Sequence, residues 1–195
     1  MFVPPKSPSL ISIPSDFHIP AHVQATRLQA EHLIPNDNIF VLAHQMDRDV
    51  PYHSHDFYEL VLVYNQPVLN LIDGDSMYLL PNSLLLMNLQ SAHAMNTIDP
   101  HAVIVNIGLR ASLFEAGIFH DFYCDDSYVA DFLHGEQHHP YLYYPFPRST
   151  RLWAFADNIL RAYTDADYHE NFEVTGYVLL LLNELRAERG YSYQG

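Results

Sequence analysis

Between Ile39 and Arg110 the chain is cut into apolar stretches of five to nine residues, each closed by a turn signal. The punctuation is Asn65-Gln66-Pro67, Asp73-Gly74, Pro81-Asn82-Ser83 and Asp99-Pro100. Asp-Gly between two β-prone runs favours a two-residue hairpin, because both residues tolerate positive φ. Connections this short leave no room for helical crossovers, so a parallel sheet is excluded and the strands must run antiparallel in a sandwich or barrel. The pattern predicts strands at 39–46, 57–64, 68–72, 76–80, 84–88, 93–98 and 102–110.

The flanks read differently. Residues 1–37 are proline-rich and aperiodic, which predicts a loosely structured arm, with a short helix around Ala25 to Leu33 ended by Pro35. After Arg110, Ala111–Ala116 and Ser127–Leu133 have the character of short helical turns, closed by Gly117 and Gly135. Tyr141-Leu142-Tyr143-Tyr144 is β-like between prolines. Two longer helices follow. Ser149 or Thr150 can cap the first, in which Trp153, Ala156, Leu160 and Tyr163 recur at helical spacing. The second runs from about Asp167 to Arg189. These shifts divide the chain into an arm (1–37), a barrel with helical insertions (38–148) and a helical region (149–190).

In the second long helix, Val178-Leu179-Leu180-Leu181-Leu182 advances by ~100° per residue and so covers every side. One side can pack on the barrel, and the opposite side needs a second cover. Burial within the chain satisfies this, and so does a homodimer seam through Val178, Leu180 and Leu181.

Charge narrows the partners. With 9 Lys and Arg against 23 Asp and Glu, the net charge is −14, a poor match for phosphates, so these residues are not expected to grip nucleic acid themselves. A lone cysteine, Cys124, makes no internal disulfide and favours a reducing cytoplasm. In Phe122-Tyr123-Cys124 it reads as a small buried apolar residue. No apolar run approaches the ~18 residues of a membrane helix. Thirteen histidines outnumber the basic residues and point to metal sites or pH-sensitive charge.

The densest chemistry is His53-Ser-His55-Asp-Phe57-Tyr-Glu59. In one unbroken strand, residues two apart share a face, which would set His53, His55 and Glu59 together with Phe57 among them. Two imidazoles and a carboxylate form half of a shell for a divalent transition metal (Zn, Ni, Fe or Mn), and His93, opening a later strand, is a candidate fourth ligand. Without a metal, the same histidines can hydrogen-bond to each other, to Glu59 or to Asp56.

His53-x-His55-x-x-x-Glu59, a hairpin, and then His93 with Asn96 close behind resembles the two motifs of the cupin superfamily. The ordered phrases His53-Ser-His-Asp-Phe-Tyr-Glu-Leu60, Gly74-Asp-Ser-Met-Tyr-Leu-Leu80, Leu84-Leu-Leu-Met-Asn88 and Ser91-Ala-His93 resemble the effector-sensing N-terminal domain of AraC-type transcription regulators. The likeness covers about residues 37 to 190. It departs from the cupin pattern where motif glycines are expected: Asp47 and Gln66 stand at two such places, and Asn88-Leu-Gln90 replaces Pro-x-Gly. The turns there must differ.

The resemblance implies a mainly β, cupin-like antiparallel barrel (a double-stranded β-helix or jelly roll) followed by α-helices, with its site inside. It implies a small-molecule effector, a sugar or related polar metabolite among the candidates, held by His53, His55, Glu59 and His93 with Phe57 and Tyr78 as walls. The arm would fold over the ligand. Occupancy would shift arm and helices, and with them a DNA-binding pair of helix-turn-helix units that the 195 residues do not contain. The expected protein is thus a cytoplasmic, homodimeric sensing domain without catalytic residues, and DNA is met only through the absent part. The alternative is a metal-dependent cupin enzyme, a dioxygenase or isomerase, with the same four residues as ligands.

Overall fold

The computed structural model describes residues 26–28, 37–89, 91–135, 139–147, 150–165 and 172–187. Among the described residues, ten strands form two five-stranded sheets. They are β1 (Thr26–Leu28), β2 (Ile39–Gln45), β3 (Val50–His55), β4 (Phe57–Val63), β5 (Val68–Ile72), β6 (Asp75–Leu79), β7 (Ser83–Met87), β8 (Ala92–Asn96), β9 (Val103–Arg110) and β10 (Tyr141–Pro145). One sheet has the order β1-β3-β8-β5-β6 and the other β10-β7-β4-β9-β2. All neighbours are antiparallel except β1 and β3.

The hairpin at Asp73-Gly74 closes β5 onto β6, pairing Ile72 with Asp75. Both turn residues have positive φ, 47° and 94°, the mirror-image geometry that matches strand twist. The helices are α1 (Gly117–Tyr123), α2 (Tyr128–His134), α3 (Arg151–Asp165) and α4 (Phe172–Arg186), with a 3-10 turn at Ala111–Phe114. Ser127 caps α2 by accepting from the Ala130 amide, and Gly135 ends it in the left-handed region.

Away from its β2 edge, the β4 sheet is buried on both faces. Its inner face meets the β3 sheet around Val61, Val63, Leu85, Met87, Ile72 and Met95. Its outer face carries Tyr58, Leu60, Leu62, Leu86 and Ile107 into a larger core with Trp153, Ile159, Val178 and Leu181 of α3 and α4. β4 therefore reads as a nearly continuous apolar run, because every residue of it is covered.

Several expectations are corrected. Thr26–Leu28 is a strand, paired in parallel with 53–55 of β3, where a helix was expected: an open sheet edge satisfies its backbone groups as well as a helical turn would. Gly117, expected to end a helical turn, opens α1 with φ 66°. Thr150 does not cap α3; its buried hydroxyl finds no partner, and Ser149 lies outside the described residues. Cys124 is exposed at the end of α1. Of the expected dimer residues, Val178 and Leu181 are sealed in the chain's own core, and only Leu180, 40% exposed, faces outward. Among the described residues, no helix is long and apolar enough to cross a membrane.

Candidate functional site

His53, His55, Glu59 and His93 converge at one end of the space between the sheets, and all four are buried. The convergence does not come from a single strand. The extended chain breaks at Asp56: β3 ends at His55 in one sheet, and β4 begins at Phe57 in the other. His53 and His55 thus look across the gap at Glu59. His93 comes from β8, where it sits directly opposite His53. Their rings lie 4.3 Å apart, and those of His55 and His93 5.7 Å apart.

Each imidazole is tied by its outer nitrogen. His53 Nδ1 meets the Pro51 carbonyl at 2.8 Å, His55 Nδ1 the Phe57 carbonyl at 2.5 Å, and His93 Nδ1 the Asn70 side-chain oxygen at 3.2 Å. Pro51 lies in a bulge of β3, where the register shifts between Val50 and His53. A proline, lacking an N–H, is suited to such a position. These contacts make Nδ1 the protonated nitrogen and leave Nε2 as an inward-facing lone pair, the orientation metal-binding histidines are given by their supporting partners.

Glu59 Oε2 lies 3.2 Å from His93 Nε2 and 3.5 Å from His55 Nε2. All three atoms are buried, and their nearest polar neighbours are one another. Two ligands of a tetrahedral ion at bond lengths near 2.1 Å stand about 3.4 Å from each other, so these separations match ligands of one ion. His53, Glu59 and His93 also offer donor atoms mutually within 4.8 Å. His53, Glu59 and His93 therefore fit a divalent transition metal as one set, and His55, outside that set, comes near it through Glu59.

Charge agrees. Burial alone would raise the Glu59 carboxyl, but close contact with His93 and the neighbouring imidazoles overcomes it and holds the group down at about 2. Burial and the proximity of His93 lower His53. Burial also lowers His55, against the pull of Glu59. At neutral pH His53 and His55 are neutral lone-pair donors beside a carboxylate, which is the composition of a cation site.

The apolar wall is partly as expected. Phe57 stacks on His55 with ring centroids 4.7 Å apart and meets Phe40 edge-on at 4.8 Å. Tyr78 does not join it. It pairs with Leu69 on the face turned away from the interior, and Met77 takes the inward position against the inner core. Tyr78 as a wall is thus corrected by the alternation of β6.

Sequence reasoning passed over Asn70, Phe40 and Gly108. Asn70 and Asn106 are polar residues inside the apolar runs Val-Leu-Asn-Leu-Ile and Val-Ile-Val-Asn-Ile-Gly, a signal that a buried position carries a task. Gly108 lies between Phe40 and Glu59 in adjacent strands, and a Cβ there would stand 2.0 Å from the Phe40 ring. The missing side chain lets Phe40 lie across the strand beside Glu59.

No family profile and no curated protein matches the sequence. Among solved structures, an apo form of ToxT from Vibrio cholerae is similar with a TM-score of 0.53 and 10% identity, over 82% of this chain and 60% of that one. ToxT bound to (E)-4-(8-methylnaphthalen-1-yl)but-3-enoic acid gives 0.46 at 9% identity, over 76% and 57%. A cupin-2 domain protein from Shewanella frigidimarina gives 0.35 at 13% identity, over 38% and 72%. The chain spans three fifths of the length of the first ToxT structure. At 10% identity the likeness to the first ToxT structure is one of fold alone: two mainly antiparallel sheets followed by helices.

Proposed function

We propose that the chain is the effector-sensing part of an AraC-type transcription regulator, with a divalent metal held by His53, His55, Glu59 and His93 at the floor of its ligand site. The observation that carries this reading is the double role of β4. One face presents Glu59 to the histidines, while the other buries Tyr58, Leu60 and Leu62 against the helices. Movement of that strand on ligand binding would pass to α3 and α4 through the core they share. A ligand that binds one arrangement better than the other by about 1–3 kcal/mol shifts the helices. In this reading the helices pass the signal to a DNA-binding part, and the acidic residues described here do not touch DNA. A second copy would meet the chain through the α4 side that carries Leu180.

A metal would supply a positive charge on which a carboxylate or hydroxyl of the effector can rest. The chain itself orients the imidazoles through Pro51, Phe57 and Asn70, and excludes water with Phe40 and Phe57.

Metal analysis of protein purified without nickel tests the centre: about one equivalent per chain is expected, falling below a tenth in Glu59→Gln. Hydrogen exchange with and without Zn tests the coupling. Slower exchange in β4 and in α3–α4 is expected on loading. An effect confined to β3 and β8 would break the link between site and helices. The competing reading, a metal-dependent dioxygenase or isomerase, is favoured by the inward lone pairs of three histidines. Turnover of a substrate by metal-loaded protein would establish it instead.

A further inference from the structure

Polar atoms without partners are not confined to the histidine centre. On the inner face of the β4 sheet, Leu42 of β2 stands opposite Asn106 of β9, and Val61 of β4 stands on the other side of Asn106. The adjacent row is Phe40, Gly108 and Glu59. The row beyond is His44, Ile104 and Val63. Asn106 is 7% exposed, and its Oδ1 has no hydrogen-bond partner. His44, one row along, is a half-buried side chain whose Nε2 is itself buried and unpartnered. A buried amide flanked by Val61, Val63 and Ile104 is costly unless something outside the chain completes it.

The same place is open. Leu42 points to the inner face yet is 43% exposed, so solvent reaches the interior beside Asn106. Between Asn106 and Glu59 the floor is apolar, made by Phe40 over Gly108.

We propose that Asn106 and His44 form a second polar contact of the barrel interior, which takes the hydroxyl end of a short hydroxy acid whose carboxylate lies at the Glu59–histidine centre. The inference rests on the sensing reading above and extends it to a ligand class. An amide and a neutral imidazole each offer a donor and an acceptor, which suits a hydroxyl and not a second charge. Glu59 and Asn106 are diagonal cross-strand neighbours, roughly 7–8 Å apart, about the reach of a four- to five-carbon chain. The carboxylate belongs at the other end, because beside Glu59 it needs a cation.

Calorimetric titration of Zn-loaded protein with 5-hydroxypentanoate and with pentanoate separates the two ends. Wild type should bind the hydroxy acid at least tenfold more tightly. Asn106→Leu should reduce that preference below threefold while leaving pentanoate affinity and zinc content unchanged, and His44→Phe should reduce it partially. Asn106→Leu should also raise the melting temperature of the metal-free protein, since it removes an unsatisfied buried amide. Equal binding of the two acids by wild type, or a preference that survives Asn106→Leu, overturns the proposal. A lower melting temperature in Asn106→Leu overturns it too, by marking the amide as a structural support or the holder of a permanent water. A protein that takes up no zinc defeats the metal centre, and the melting comparison still decides the second contact.

Discussion

The two sheets differ in what covers them. The β4 sheet lies between two cores, with Leu60, Leu62, Leu84 and Leu86 fully buried, and is wet chiefly along its edge strand β2, where Leu42, Ala43 and Gln45 are exposed. The β3 sheet is packed on one side, and its other side carries Tyr52, Ser54, Ser76 and Tyr78, all partly exposed. Yet three of the four converging residues, His53, His55 and His93, stand on the thinly covered sheet, and Glu59 alone comes from the doubly buried one. Stability and chemistry are thus divided between layers. The strongly packed sheet holds the single carboxylate in a fixed place, and the lighter sheet presents the imidazoles that must meet it.

The largest test of this division is a pair of truncations. Leu60→Ala, on the helix side of β4, should cost about 2–5 kcal/mol in denaturant unfolding, whereas Tyr78→Ala, on the outer side of β6, should cost less than about 1 kcal/mol. Tyr78→Ala should leave ligand affinity untouched. Similar losses at the two positions would erase the contrast.

Next in size is Gly108→Ala, expected to cost about 1–3 kcal/mol because the new methyl group meets the Phe40 ring. Combining it with Phe40→Leu should recover part of the loss, as double-mutant analysis of unfolding would show. Simple additivity would mean that the ring escapes the clash by itself.

A smaller, pH-dependent effect should come from the site of the metal-free protein. His53 and His55 titrate lower in the folded chain than their ordinary 6.5, chiefly through burial. The unfolded chain therefore binds more protons below that pH, and stability should decline as pH falls from about 6.5. Glu59 is depressed from 4.5 to about 2, so its contribution, present above 4.5, is lost between 4.5 and 2. Both slopes point the same way. Urea midpoints of His55→Gln should flatten the upper step, and those of Glu59→Gln the lower. Unchanged profiles would place these side chains in water.

The smallest effect belongs to Leu180→Glu. Leu180 faces outward, so the unfolding free energy should move by no more than about 0.5 kcal/mol, while light scattering should report monomers if this side of α4 meets a second copy. Dimers that persist would move the seam elsewhere.

Much of this architecture could be read beforehand, for local reasons. Turn chemistry at Asp73-Gly74 and the short spacing of apolar runs specify antiparallel neighbours wherever the runs go. The helical turn beginning near Ser127 and closed by Gly135 was legible in the same way. Tertiary choices were not. The grouping of His53, His55 and Glu59 was anticipated from alternation along one strand, but it arises because the chain changes sheets at Asp56, and nothing in Asp56 itself announces a corner. Tyr78 shows the converse error: an aromatic in a hairpin says nothing about which side of the sheet it takes until one partner, here Leu69, is known. The leucines of α4 covered every side of the helix by arithmetic, and only packing reveals that Leu181 points inward and Leu180 outward.

The corner at Asp56 has a mechanical consequence. His55 and Glu59 are joined by four peptide links yet belong to opposite walls, so their 3.5 Å separation works as a caliper set across the barrel. Anything that wedges the walls apart opens its jaws before it disturbs a distant helix. A spectroscopically visible ion such as Co(II) placed between the jaws would therefore register a guest's arrival as a change in its own colour.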